Sequence, residues 1–165
     1  MCIGDNRAIR VSTLLNGSEA RMPIFWRPQF RIGHDDIDAD HRYLILLINT
    51  VELVLRFPDE PRNVELALAE LRRYAEYHFE REERIQIAYG YFHLDQHKRE
   101  HRALLAELDI LAQRIHATLE DPDGGVEGVK AQSGEITVFL RKWLVDHVMK
   151  ADMQLVRLFR KPVVR

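Results

Sequence analysis

Cysteine occurs once in the 165 residues, at Cys2, which excludes an internal disulfide framework and fits a reducing compartment. Neither sign of charge dominates: 24 basic side chains stand against 26 acidic ones, too even a balance to build a field that holds DNA, RNA or an anionic membrane surface. No apolar run is long enough to span a bilayer. The first 25 residues lack the continuous apolar centre of a signal peptide, because Asp5, Asn6, Arg7, Arg10, Asn16 and Glu19 are scattered through them. These absences leave an expected cytoplasmic chain with neither nucleic acid nor membrane as partner. What is present is ordinary for a globular chain, 46% hydrophobic and 30% charged, and long enough to bury the core of one domain.

The segment from Tyr77 to His101 organises the rest. It carries His78 and Glu82 four residues apart, a tight Tyr89-Gly90-Tyr91 corner, then His97 and His101, again four apart. On a helix, residues at that spacing share one face about 6 Å apart along the axis. A short corner lets the second helix fold back beside the first, so both pairs can point into one space.

Four helices are predicted around this segment. The first runs from about Ile37 to Phe57 with Asp36 or Asp38 as its cap, and its inward stripe is His41, Leu44, Ile45, Ile48, Val51 and Leu55. Pro58 and Pro61 end it. The second, about Asn63 to Ala88, has the cleanest stripe, Val64, Leu68, Leu71, Ala75, His78, Glu82 and Ile85, and Gly90 closes it. The third runs from about Leu94 to Leu119 with His97, His101, Leu104, Leu105, Leu108, Ile115 and Leu119 inward. Asp121 to Gly125 breaks the chain, and the fourth runs from about Val126 or Val129 to Phe159, with Ile136, Leu140, Trp143, Leu144, His147, Ala151 and Leu155 inward. Short connections between four helices predict an all-α, up-down-up-down antiparallel four-helix bundle over residues 26–165, preceded by an N-terminal arm, residues 1–25. The first helix has a second apolar stripe, Tyr43, Leu46, Leu53 and Phe57. The arm, through Val11, Leu14, Leu15 and Ile24, or a second subunit is expected to cover it.

Polar residues intrude on the inward stripes at His41, His78, Glu82, His97, His101 and His147. A lone histidine on such a stripe is an ordinary hydrogen-bonded core residue. Five with a glutamate are different, since each unpartnered buried polar group costs about 1–3 kcal/mol and a domain is stable by only ~5–15 kcal/mol. A metal satisfies them most simply; water-filled polar packing is the alternative. Asp152 follows His147 by five residues, roughly 140° around the axis, so it converges with the cluster only across the stripe's edge or through a distorted helix. Asp36-x-Asp38-x-Asp40 imitates the start of a calcium loop, yet His41 stands where that loop needs glycine and Leu47 where it needs glutamate. It is read as a helix-start cluster. His34, His93 and His116 fall outside the constellation.

The order H…HxxxE…HxxxH…HxxxxD, filled by His41, His78, Glu82, His97, His101, His147 and Asp152, resembles that of the hemerythrins, in detail the bacterial hemerythrin-like proteins. Trp26, Gly33, Ile37-Asp38-x-x-His41, His78-Phe79, Glu82-Glu83, Gly90-Tyr91 and Trp143-Leu144-x-x-His147 support the resemblance, which covers about residues 26 to 160. Asp40 departs from a common glutamine and Gln86 from a common methionine. The resemblance implies a bundle holding two iron ions, His97, His101 and His147 on one, His41 and His78 on the other, with Glu82 and Asp152 bridging both. With a bridging oxygen, these side chains leave one position open on the iron that has two histidines. It further implies reversible O2 binding there, for storage, delivery or sensing, in an apolar pocket for which Phe79, Trp143, Ile45, Leu44, Leu105 and Val148 are candidate walls. It implies a binding module with no catalytic residues. The alternative is a di-iron enzyme or iron-handling protein acting on peroxide or nitric oxide, which would need an acid or base such as Gln86 or Tyr74 within reach. A signalling partner or a second copy is expected to meet the outer face of the first helix or the arm.

Overall fold

A computed structural model describes residues 22–58 and 60–159. After a 3-10 turn at Pro28–Phe30 come α1 (Asp35–Arg56), α2 (Pro61–Ala88), α3 (Leu94–Glu120) and α4 (Gly125–Lys150), then a 3-10 turn at Asp152–Leu155 and the one-turn helix α5 (Val156–Phe159). Each long helix packs on the next and α4 returns against α1, closing the up-down-up-down bundle. The core runs the length of the bundle, from Val64, Leu68 and Leu71 at one end to Phe79, Leu144 and Leu155 near the other. Among the described residues no helix is long and apolar enough to cross a membrane.

Helix α1 starts two residues earlier than its stripe predicts, with Asp35, Asp36 and Asp38 in the first turn, where the positive end of the helix dipole favours acids. The expected acidic cap is absent: His34 occupies the cap position and makes no side-chain cap bond. Asp38 instead accepts the backbone amides of Ile32 at 2.7 Å and Gly33 at 3.2 Å. Side chains on a helix lean toward its N-terminus, so this carboxylate reaches back to the incoming loop and latches it. Gly33, at φ +96°, provides the bend.

Pro61 opens α2, where its missing N–H costs no helical bond. At the other end Gly90 takes φ +66°; its amide bonds the Ile87 carbonyl at 3.1 Å, and the Tyr91 amide bonds that of Gln86 at 2.9 Å. This paired closure turns the chain sharply into α3.

Helix α4 does not reach Phe159. Its last regular bond joins the Ala151 amide to the His147 carbonyl at 2.8 Å, and the next, Gln154 to Ala151 at 3.0 Å, spans three residues. The backbone tightens into the 3-10 turn as Asp152 arrives.

The described end of the N-terminal segment is tied to the α1–α4 seam. Asn49 bonds both backbone groups of Ile24, at 2.8 and 2.9 Å, and Arg141 donates to the Met22 carbonyl. Arg141 also forms a buried two-pronged pair with Glu52, both contacts 2.6 Å. Val11, Leu14 and Leu15 lie outside the described residues. Among those described, Leu46, Leu53 and Phe57 remain more than half exposed and Tyr43 39% exposed.

Candidate metal centre

All four long helices and the turn after α4 send polar side chains to one buried place. His41 comes from α1, His78 and Glu82 from α2, His97 and His101 from α3, His147 from the end of α4 and Asp152 from the 3-10 turn; none is more than 7% exposed. They form two groups, His97, His101, His147 and Asp152 in one and His41, His78 and Glu82 in the other, each with donor atoms within 4.8 Å of one another. The tightened turn carries Asp152 across the five-residue gap, so that its Oδ1 lies 3.0 Å from His147 Nε2.

The two carboxylates span the groups. Asp152 turns Oδ1 toward His97 (3.3 Å) and His147, and Oδ2 toward His41 (3.2 Å). Glu82 turns Oε1 toward His97 (2.7 Å) and His101 (3.7 Å), and Oε2 toward His78 (3.7 Å). Close as these atoms are, His41 Nε2, His97 Nε2, Glu82 Oε2 and both Asp152 oxygens have no aligned hydrogen-bond partner. They face common points and not each other. His101 Nε2 and His147 Nε2 lie 3.2 Å apart, a hydrogen bond when one of them carries a proton. Buried nitrogens and oxygens converging without pairing are what a pair of cations would satisfy, and a set of imidazoles with two carboxylates suits a borderline transition metal. The residues present therefore fit such ions.

Without a cation the same atoms compete for protons. Burial works against charge on His97, but the close Asp152 and Glu82 carboxylates outweigh it and push the imidazole up to about 10. Burial, then His147 and His97, hold His101 well below the ordinary histidine range. Burial opposes ionisation of Asp152 too, yet His147, His41 and His97 keep it far below the usual carboxylate range. Metal entry must displace protons from this cluster.

An outer layer orients the imidazoles. Asp40, 2% exposed, accepts from Tyr74 Oη at 2.8 Å and Arg81 Nη1 at 3.0 Å and sits 3.4 Å from His78 Nδ1. Glu83 Oε1 lies 3.0 Å from His101 Nδ1 and its other oxygen 3.4 Å from Lys98. A carboxylate that accepts a hydrogen bond from Nδ1–H keeps the proton on that nitrogen and leaves the Nε2 lone pair facing inward, the tautomer a metal requires. Phe79 stacks on His101 at 4.0 Å and 11°, fixing that ring's plane.

The predicted wall residues divide between two sides. Ile45 and Val148 line a small cavity beside His41 together with Trp26, Phe30, Leu144 and Val145; at about 10 Å³ it has room for roughly one water-sized molecule. Phe79 and Trp143 lie on the three-histidine side, with ring centres 6.2 Å apart. Trp143, bonded through Nε1 to the Leu104 carbonyl, floors an open α3–α4 groove of about 580 Å³ that also reaches His147. Leu44 is fully buried in the core, and Leu105 packs against it half-buried.

The residues set aside in the sequence stand apart. His34 packs against Phe159 and Tyr89, His93 precedes α3 on the surface, and exposed His116 pairs with Glu65 at 2.7 Å. Asp36 and Asp40 share Arg81, Asp40 also meets His78, and Asp38 turns back to the loop amides, so the calcium-like spacing converges on no common point. Tyr74 engages Asp40, and Gln86 engages Glu82 at 2.6 Å. Sequence reasoning missed the orienting roles of Asp40 and Glu83; their only signal was a carboxylate directly beside a stripe histidine or glutamate. It missed Trp26 and Phe30 as cavity walls, although both stand in an aromatic loop just before α1.

Comparison with known proteins points to a cation-binding family. Residues 32–159 match the hemerythrin HHE cation-binding domain model. The chain is 27% identical to a bacteriohemerythrin of Clostridium acetobutylicum over 78% of its length and 95% of that protein's. It is 26% identical to a myohemerythrin of Riftia pachyptila, over 82% and 93%, and 30% identical to a hemerythrin of Phascolopsis gouldii, over 80% and 90%. A crystal structure of a hemerythrin point mutant shares the fold with a TM-score of 0.70 at 22% identity, covering 84% of this chain and all of that one.

Proposed function

Because the chain belongs to the hemerythrin HHE cation-binding family, we propose that it is a non-haem di-iron protein that binds O2 reversibly at one open iron position. His97, His101 and His147 would hold one ion and His41 and His78 the other, with Glu82 and Asp152 shared between them. The observation that carries this reading is the division of oxygens: each carboxylate directs one at the three-histidine group and one at the two-histidine group. When bound, two ferrous ions supply the two electrons that a small diatomic ligand such as O2 draws on.

The protein's own residues do the rest. Asp40 and Glu83 fix the tautomers of His78 and His101. The bundle excludes water: every one of the seven side chains is buried. The cavity beside His41 is sized for one small molecule and walled, apart from that imidazole, by apolar side chains. Among the described residues its wall carries no carboxyl, hydroxyl or amine beside His41, which would be held as a ligand, and this supports binding over peroxide or nitric oxide turnover. The relatives named hemerythrin and myohemerythrin support the same reading.

Metal analysis of protein purified from iron-supplied cells tests it. Two irons per chain are expected, both lost with Glu82→Ala; one metal per chain, or a full complement in that variant, would overturn the bridged pair.

A further inference from the structure

Gln86 lies one turn beyond Glu82 on α2 and is wholly buried. Its Nε2 donates to Glu82 Oε1 at 2.6 Å, while its own Oε1 has no partner. An ionised carboxylate only accepts, so the amide nitrogen is the end that must face Glu82. The chain thus tolerates an orphaned carbonyl in order to aim a donor at one oxygen. A methionine or leucine would fill the space and leave nothing unpaired, so packing does not explain an amide here. The oxygen it engages is the one directed at His97 and His101; Glu82 Oε2, directed at His78, has no such donor.

We propose that Gln86 is a positioning residue that sets the redox balance of the three-histidine position, an inference that rests on the di-iron reading above. A donor on Oε1 shares the lone pairs through which that oxygen stabilises a cation, and it also locks the carboxylate's rotation. Less negative charge at the ion disfavours the ferric state more than the ferrous, because the ferric charge is greater. Gln86 therefore holds the three-histidine ion toward ferrous, with a weaker effect on the two-histidine ion, which the same carboxylate reaches through its other oxygen.

The test is an anaerobic redox titration of the iron-loaded full chain, read from its absorption spectrum, for wild type and Gln86→Met. The variant should keep two irons per chain while its ferric-to-ferrous equilibrium shifts at least tenfold toward ferric, a fall of about 59 mV for a one-electron couple. Two irons with an equilibrium within twofold of wild type would overturn the proposal alone. Fewer than two irons in wild type would overturn the di-iron reading and this inference with it. If Gln86→Met takes up no iron, the same titration is read on Gln86→Glu, which keeps the shape and, protonated, the donor. Uptake with a wild-type equilibrium there supports the hydrogen bond, and failure there too reduces Gln86 to packing and overturns the proposal.

Discussion

Replacing Asp40 with alanine isolates the outer layer, because Asp40 serves three donors with unequal alternatives. Tyr74 and Arg81 are only partly buried and can turn to water. His78, 1% exposed, cannot. Its Nδ1 proton loses the carboxylate 3.4 Å away, and one unsatisfied buried group costs about 1–3 kcal/mol. Against a stability of ~5–15 kcal/mol the variant still folds. The effect on metal is selective. Removing an outer-layer partner weakens affinity about 10–100-fold, or ~1.4–2.8 kcal/mol at 1.4 per decade. That loss falls on the ion held by His41 and His78, since the Glu83 contact to His101 on the other side is untouched. In a chelator competition, one of the two irons should leave Asp40→Ala at 10–100-fold lower chelator, with Asp40→Asn between it and wild type. Glu83→Ala should release the other ion first. Release of both irons from Asp40→Ala at the wild-type midpoint would refute the reasoning, as would equal loss of both.

Other perturbations reach different parts of the account. Trp143→Ala removes the floor of the α3–α4 groove and costs about 3–5 kcal/mol; iron should stay while the oxygenated form autoxidises faster, and equal rates would deny Trp143 a protective role. In the metal-free chain His97 titrates near 10, above its ordinary 6.5, so its protonated form stabilises the fold fully below pH 6.5, and that stability is lost as pH rises through about 10. Urea midpoints of the apoprotein should fall across that window and those of the iron-loaded protein should not; a flat apoprotein profile contradicts the assignment. Deleting residues 1–22 removes the Met22 carbonyl that Arg141 holds, and should leave a chain that self-associates through Tyr43, Leu46, Leu53 and Phe57. A well-behaved monomer by sizing would rule out a covering role for the arm.

Most of the bundle was legible because a buried helix face writes itself as a stripe, and His78 and Glu82 stood out by occupying α2 stripe positions otherwise filled by Leu71 and Ala75. Gly90 was readable for a similar reason: its closure is local. Asp152 was harder. A five-residue step from His147 contradicts a regular helix, and only the tightening after Ala151 reconciles it. Asp38 and Asp40 looked alike in sequence, two acids at a helix start. What separates them is long-range: one meets loop amides six residues back at most, the other Tyr74, His78 and Arg81 on a different helix. The wall residues divided for the same reason, since stripe spacing says which side chains face inward and not which of the two ligand groups they face.

The measurement that tests the central claim most directly is an optical O2 titration of the anaerobically reduced, iron-loaded protein. A site with one open position in an apolar cavity predicts charge-transfer bands that grow with O2, saturate at one O2 per two irons and vanish under vacuum. Irreversible oxidation on the first addition, with no bands that evacuation removes, would contradict reversible binding.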